Sequence, residues 1–275
     1  MSVSVLILTL NEEQNLPRCL ESVSWSDDIV VFDSFSSDAT VEIARAAGAR
    51  VFQRRFDNER DHRAASLRLP FKYPWVFNPD ADEIAPPGLR DEILAAVAVP
   101  HCKAVAFRVR IMNMFMGRWL RYSSLYPTWV VRLFRPESVT FERSINLRYV
   151  IAGPEGRLLG NLHHFSFNKG LDAWLDKHNR YSSAEAHELL ASLTRKFQFK
   201  ALFHLDPVAR RSALKELSFR LPARPTLRFL YMYFFRRGFL DGLPGYHYCR
   251  LLSAYEHMIS LKALELRRRM KDLPV

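Results

Sequence analysis

The sequence predicts an α/β protein in which a parallel sheet flanked by helices is followed by a basic helical extension. Over the first eighty residues, short apolar runs alternate with segments of helical periodicity, the pattern of parallel strands joined by crossover helices. Three polar turns, at 9–14, 33–38 and 78–83, fall at the C-terminal ends of those strands, where open α/β sheets take their ligands. Charge supplies a third observation: of a net +11, nearly all lies between Arg210 and Lys271, where fourteen Lys and Arg face four acids. That asymmetry points to an anionic partner, a membrane surface in the first place, with nucleic acid as the competitor.

Val3–Leu8 reads as a buried strand. The helix after it starts at Asn15 as N-cap and accepts Pro17 in its first turn, with Leu16, Leu20 and Val23 on one face. Ile29–Phe32 is a second strand; after the turn Asp33–Asp38, a helix carries Val41, Ile43, Ala44 and Ala47 and stops at Gly48. Val51-Phe52 makes a short third strand, Asn58–Leu69 is helical, and Trp75–Phe77 is the next strand. From Ala104 the pattern becomes strand-like in Val105–Val109, Trp129–Phe134 and Leu158–Phe167. A helix runs from about Leu171 to Leu193, and two or three basic helices follow Pro207, punctuated by Pro and Gly.

Cys19, Cys102 and Cys249 are far apart and form no Cys-x-x-Cys pair, which argues against a zinc site or a disulfide framework. The N-terminal apolar run has no basic leader and is followed at once by acids, so it reads as a first strand and not as a signal peptide. No stretch reaches the length of a bilayer span. The nearest, Phe229–Phe235, is short and flanked by Arg228, Arg236 and Arg237. A cytoplasmic protein, peripheral on the inner face of the cell membrane, is the expectation.

The sharpest local feature is Asn78-Pro79-Asp80-Ala81-Asp82-Glu83, three carboxylates within four residues at the end of an apolar strand. Like charges this close repel and raise one another's pKa, so a cation or a set of donors is needed to offset them. Asp80 and Asp82 flank one residue, and both can turn toward one hard cation that keeps other positions for phosphate oxygens. The plain alternative is a solvated acidic turn. In Asp33-Ser34-Phe35-Ser36-Ser37-Asp38, Asp33 could accept from a base N–H, while Asp38 or Ser37 could cap the next helix. Thr9-Leu10-Asn11-Glu12-Glu13 offers a hydroxyl and carboxylates from the other side.

Together these segments resemble the family 2 glycosyltransferases, enzymes of the GT-A (Rossmann-like) fold that transfer a sugar from a nucleotide diphosphate. The resemblance is carried by LILTLNEEQNLPRCLESV, DDIVVFDSFSSDATVEIA, PWVFNPDADE, YPTWVVRLFRPESVTFER and LHHFSFNKGLDAWLDKHNRYSSAEA, and it covers most of the chain. Within the family the sequence looks most like bacterial enzymes that build lipopolysaccharide core or exopolysaccharide, including the core β-1,4-glucosyltransferase group. A GT-A catalytic domain over residues 1–200 is expected, followed by a basic, aromatic helical extension over 201–275 whose charge and aromatic run make it membrane-peripheral. The resemblance implies that Thr9, Glu12, Asp33 and Asp38 surround the nucleoside, with Asn11, Ala81 and Lys177 as further donor contacts. Asp80 would lie near the ribose and share a divalent cation, Mg2+ or Mn2+, with Asp82, the main metal contact.

Arg132 and Arg135, on a strand with Trp129, could reach a diphosphate or an anionic acceptor, because the planar guanidinium suits phosphate. Family members carry an Asn or His followed by Glu after the FER segment, and that Glu resembles the general base. Here the pair is Asn146-Leu147, which leaves Glu142 and His164 as base candidates. The segment FDNERDHRAAS also holds charges where relatives show Gln, Asn and aromatic residues. The expected activity is inverting transfer, with a UDP-sugar as donor and a lipopolysaccharide or lipid-linked glycan as acceptor. The competing readings are a non-catalytic nucleotide-sugar binder, a nucleotidyltransferase, for which a Gly-rich phosphate loop is missing, and a nucleic-acid-binding protein, for which no motif is present. No nucleic-acid partner is expected.

Overall fold

The computed structural model describes residues 3–100, 102–142, 147–193, 199–203, 207–221 and 223–275. They fall into two compact units: the first holds the described residues up to Trp119 with Leu125–Lys169, the second Leu120–Ser124 with Gly170–Val275.

The first unit begins as an alternation of strands and helices: β1 (Ser4–Thr9), α1 (Leu16–Val23), β2 (Ile29–Asp33), α2 (Thr40–Ala46), β3 (Arg50–Gln53) and α3 (Glu59–Ser66). It continues through β4 (Val76–Phe77), β5 (Glu83–Ile84), α4 (Pro87–Ala98), β6 (Ala106–Phe115), β7 (Arg118–Trp119), β8 (Thr128–Phe134), β9 (Val139–Glu142), β10 (Arg148–Ile151) and β11 (Glu155–His164). The main sheet runs β3-β2-β1-β4-β8-β6-β11-β5, with β7 paired to β6, while β9 and β10 form a separate hairpin. β1 is parallel to β2 and β4, and β2 to β3; β8 then enters antiparallel between β4 and β6. The expected α/β class with a parallel-rich sheet is what forms.

Alternate residues of β1 serve opposite faces of the sheet. Val5 and Ile7 join one apolar cluster with Leu16, Leu20 and Phe77, whereas Leu6 joins another with Val30, Phe32, Val76 and Phe134. A strand covered on both faces needs apolar side chains throughout, which is why Val3–Leu8 lacks polar alternation. Burying each side chain of this size contributes about 1.5–3 kcal/mol. Gly48, at φ +77°, stops the second helix as anticipated.

Four expectations are corrected. Asn15 does precede α1, but its side chain does not cap the helix; its Nδ2 donates instead to Glu12 Oε2 at 2.8 Å. Helix α4 was not anticipated, because alanines at 95, 96 and 98 blur the spacing of its buried face, Leu89, Ile93 and Val97. Strand β6 extends six residues past Val109, its far end partly exposed and paired with β7. At the other end of the unit, β11 stops at His164, since Phe165 N–H turns to the carbonyl of Asp82 at 2.9 Å.

In the second unit α5 (Gly170–Leu193), α6 (Pro207–Ser218), α7 (Arg224–Leu230) and α8 (Gly242–Arg269) are joined in part by a π-helical turn, Tyr231–Phe235, and a 3-10 turn, Gly238–Asp241. Ala186 and Leu189 of α5 meet Ile259 and Ala263 of α8 in a small core. The buried Asp241 accepts the backbone N–H groups of Arg121, Tyr122 and Ser123 at 3.1, 3.0 and 2.8 Å, and the Ser123 hydroxyl at 2.7 Å. Gly245 permits this packing: a Cβ there would lie 2.4 Å from the Gly238 carbonyl oxygen. Among the described residues no helix is long and apolar enough to cross a membrane.

Asp28 anchors the start of β1 to its surroundings. Its carboxylate accepts from the Ser4 hydroxyl, from Arg50 Nη2 at 2.6 Å and from the backbone N–H of Lys72 at 2.8 Å. Burial alone would raise its pKa, but these bonds outweigh burial and hold it below the ordinary value. Its stabilisation is therefore present above the unfolded-state pKa of about 3.9 and is lost as pH falls through the lower folded-state value. Asp28→Asn is expected to reduce unfolding free energy by about 1–3 kcal/mol at neutral pH and to flatten the acid limb of the stability profile. Urea unfolding across a pH series measures both.

Candidate active site

The polar turns after β1 and β2 interlock. Asp33, fully buried, accepts from Thr9 Oγ1 at 2.9 Å, from Ser36 N–H at 2.9 Å, from the Ser36 hydroxyl and from Gln53 Nε2 at 3.0 Å. Burial pushes its pKa up, and the four donors together hold it below the usual carboxylate value. Asn11, at φ +55°, donates its N–H to Ser36 Oγ and accepts the Ser37 N–H, both at 2.8 Å. Glu12 N–H donates to Thr40 Oγ1 at 2.7 Å while the Glu12 carboxylate pairs with Lys169. Asp38 accepts from Thr40 and from Glu13 N–H at 3.2 Å, so part of its role is to brace the loop. The structure thus brings Thr9, Asn11, Glu12, Asp33 and Asp38 together at one end of the sheet.

Next to them, the parallel bridge between Leu8 and Asp80 sets the acidic turn beside the end of β1. Asn78 fixes its entry, donating Nδ2 to the Leu6 carbonyl at 2.7 Å and its N–H to the Arg132 carbonyl at 2.7 Å. Arg132, whose side chain is 8% exposed, pairs with Asp80 Oδ2 and donates to Glu83 Oε1 at 2.7 Å. Glu83 Oε2 accepts the Asp80 N–H at 2.9 Å, and Glu83 N–H returns to the Asp80 carbonyl at 2.9 Å, with the buried Ala81 between. Arg63 approaches the other oxygen of Asp80 at 3.3 Å and also touches Tyr149 Oη at 3.2 Å and Glu59 at 2.9 Å.

The compensating charge expected from outside the chain is therefore supplied in part from within it. Burial would raise the pKa of Asp80, but Arg132, Arg63 and His164 pull it well below the ordinary value. Glu83 goes the other way: burial, then the neighbouring Asp80 charge, push it up to about 7 against the pull of Arg132.

Asp82 points elsewhere. Its Oδ2 lies 3.3 Å from His164 Nε2, and His164 Nδ1 lies 2.8 Å from Asn113 Oδ1. Asn113 Oδ1 and Asp82 Oδ2 are both acceptors, so an imidazolium donating from Nδ1 and from Nε2 satisfies both contacts. Burial lowers the pKa of this imidazole, but the Asp82 contact and the other two carboxylates outweigh burial and raise it. Antiparallel pairing of β11 with β5 puts His164 opposite Glu83, so the registry of the sheet sets this geometry.

Other expected residues lie apart from this cluster. Glu142 is exposed on β9 and pairs with Arg148 at 3.8 Å across the hairpin. Directly opposed residues share a face and neighbours alternate, so Glu142 is on the other face from the Phe141–Tyr149 pair. Arg135 lies 4.9 Å over the Trp75 ring. Lys177 is exposed on α5 in the second unit, 5.8 Å from the Tyr181 ring. Asn146 lies outside the described residues; Leu147 is half-buried.

Nothing in the sequence pattern singles out Arg63, His62 or Phe35. The unusual charges of FDNERDHRAAS were the available signal for the first two. His62 is buried against Phe32 and Phe56, with Nε2 3.2 Å from Ser34 Oγ, and burial lowers its pKa. Phe35 is 52% exposed at φ +62°, a strained conformation for a bulky residue, in the middle of the loop that holds Asp33.

Residues 4–154, more than half of the chain, match the family described as Glycosyl transferase family 2. The chain belongs to this family. It is a glycosyltransferase, as the resemblance implied. The enzyme is 26% identical over 270 residues to the "Lipopolysaccharide core biosynthesis glycosyltransferase LpsC" of Rhizobium meliloti, covering 92% of this chain and 91% of that one. It is 25% identical over 256 residues to an uncharacterized glycosyltransferase of Rickettsia typhi, covering 89% and 80% of the two chains. Among solved structures, a mannosyltransferase from Pyrobaculum calidifontis in complex with GDP-Man and Mn2+ superposes with a TM-score of 0.50 at 16% identity, over 95% of this chain and 86% of that one. That likeness concerns the fold.

Arg63 joins α3, the β9–β10 hairpin and the acidic turn of the glycosyltransferase. Replacing it with Met keeps much of its bulk and removes its charge, leaving one oxygen of Asp80 without its arginine while Arg132 keeps the other. Arg63→Met is expected to cost about 1–3 kcal/mol, the usual loss for hydrogen bonds to charged groups. Denaturant unfolding checks the value; a change below about 0.5 kcal/mol would show that Arg63 does not hold the turn.

Proposed function

We propose that this glycosyltransferase transfers a sugar with inversion from a nucleotide diphosphate donor, a UDP-sugar, to a lipopolysaccharide-type or lipid-linked glycan. The observation that carries the reading is the Asp82–His164 pair beside the arginine-held Asp80, at the sheet end where the β1 and β2 loops converge. The name of the Rhizobium relative supports the acceptor class.

The residues present fit a divalent cation delivered with its substrate. Among the described residues no group of three or more His, Cys, Asp or Glu forms a metal cage. Mg2+-type ions, however, are commonly bound by one or two carboxylates plus substrate phosphates. Asp82 would supply a carboxylate oxygen and His164 the Nε2 lone pair, with Asn113 fixing the ring, as partners of metal-binding imidazoles do. The cation would offset negative charge on the departing diphosphate.

Asp80, with both oxygens engaged by arginines, supports the turn on the ribose side, and Arg132 contributes a fixed positive charge near the diphosphate. Thr9, Asn11, Glu12, Asp33 and Asp38 shape the nucleoside side, where the exposed Phe35 offers an aromatic face to a base. In the transfer, an acceptor hydroxyl oxygen bonds to the anomeric carbon as the bond to the diphosphate oxygen breaks, and the hydroxyl proton passes to a base.

One substitution tests the cation and two the base. Asp82→Ala is expected to leave the fold intact and abolish the stabilisation that a UDP-sugar with Mn2+ gives in a thermal-shift assay, since a ligand stabilises the state that binds it. Unchanged metal-dependent stabilisation would overturn the assignment. Between Glu142→Gln and His164→Ala, the variant lacking the base should lose transfer by about 100-fold or more with donor binding intact. Loss of a cation ligand should instead weaken donor binding as well. With His164 engaged at both ring nitrogens, the second outcome is expected for His164→Ala.

A further inference from the structure

The second unit carries an exposed aromatic surface that holds none of the residues assigned above to the transfer. Tyr231, Phe234, Phe235, Phe239, Leu240 and Leu243 are all exposed, Phe235 at 83%. The rings are contiguous: Tyr233 lies 5.1 Å from Phe234, 6.3 Å from Phe239 and 5.7 Å from Tyr246, and Tyr231 stacks on Phe235 at 5.9 Å. An ordinary surface helix would turn such residues inward. Here the π-helical turn, closed by Arg236 N–H on the Tyr231 carbonyl at 2.8 Å, buries only Met232 and leaves its neighbours outward. Single-turn π segments are rare and concentrate at functional places.

Charge at this surface is one-sided. From Arg224 to Arg250 the chain has five arginines and one acid, Asp241. That acid is buried and committed to the N–H groups of residues 121–123. Arg228, Arg236 and Arg237 flank the aromatic run, and Arg250 lies 5.6 Å over the Phe229 ring. Arg237 and Arg250 are exposed and, among the described residues, make no ion pair with a carboxylate, whereas Arg228 turns a buried Nε inward. An apolar aromatic patch of this kind, rimmed by uncompensated positive charge, marks an interaction face.

We propose that this face docks the second unit on an anionic phospholipid bilayer. The rings enter at the boundary between headgroups and acyl chains, as aromatic side chains do at membrane interfaces, and the arginines meet lipid phosphates. A second copy of this chain is a poorer occupant, because a two-fold contact would set one arginine rim against the other. A nucleic acid would engage the arginines but gain little from the exposed Leu240 and Leu243. The inference stands independently of the donor and the cation.

Co-sedimentation of the full chain with vesicles tests it. Binding is expected to vesicles of equal parts phosphatidylcholine and phosphatidylglycerol, to be absent with phosphatidylcholine alone, and to weaken in high salt through screening. Phe234→Ser combined with Phe235→Ser should lower the partition coefficient about tenfold or more, since interfacial binding scales with buried apolar area. Arg237→Ser with Arg250→Ser should lower it roughly fivefold per arginine removed. Both proteins should keep the parent unfolding temperature, as Phe234, Phe235, Arg237 and Arg250 are all exposed. The proposal is overturned by binding that ignores lipid charge, by ring and arginine variants that bind as the parent does, or by retention after carbonate extraction. It is equally overturned if the intact chain stays in the supernatant while forming a concentration-dependent dimer that the phenylalanine variant loses.

Discussion

One buried guanidinium holds the acidic turn in shape. Arg132 reaches across from β8 to Asp80 and Glu83, and its own carbonyl takes the N–H of Asn78 at the turn's entrance. Without it, Glu83, 1% exposed, would have no arginine and would sit beside Asp80, which keeps only Arg63, and a buried carboxylate stripped of its partner is strongly destabilising. With both ends of the turn fixed, Asp82 Oδ2 is presented to His164 Nε2. A stabilising ion pair thereby becomes an aiming device for the turn's remaining carboxylate.

The sheet serves the same end. Because β8 runs antiparallel between β4 and β6, Arg132 comes from the side opposite to the nucleoside loops. Because β11 is parallel to β6 and antiparallel to β5, Asn113 and Glu83 both lie opposite His164. Three strands distant in sequence thus determine the position of one imidazole. The β1 and β2 loops are instead cross-braced by their own short polar side chains, a local solution that needs no distant strand.

The first half of the fold was legible because buried parallel strands are continuous apolar runs and the polar turns between them are conspicuous. The acidic turn and the residues of the two nucleoside loops could be named for the same reason. The later strands were harder to read: β5 and β7 have two residues each, and helix α4 is hidden by its alanines. Arg63 was beyond reach, since a basic residue on a short amphipathic helix normally faces water, and only the tertiary arrangement shows that it turns inward to Asp80. The engagement of Arg132 was equally hidden: its strand and its charge could be read from the sequence, but not which anion it would meet.

Asp241 has a consequence for how the protein is made. The N–H groups that it accepts belong to Arg121, Tyr122 and Ser123, and Ser123 leaves the ribosome 118 residues before Asp241 does. At common elongation rates that interval is roughly ten seconds. Throughout it, a five-residue stretch emerging between β7 and β8 has no carboxylate to receive its backbone and must stay hydrated or be shielded by a chaperone. These contacts can form only once Asp241 has been synthesised, so translation order, and not sequence position alone, sets when this part of the molecule can first assemble.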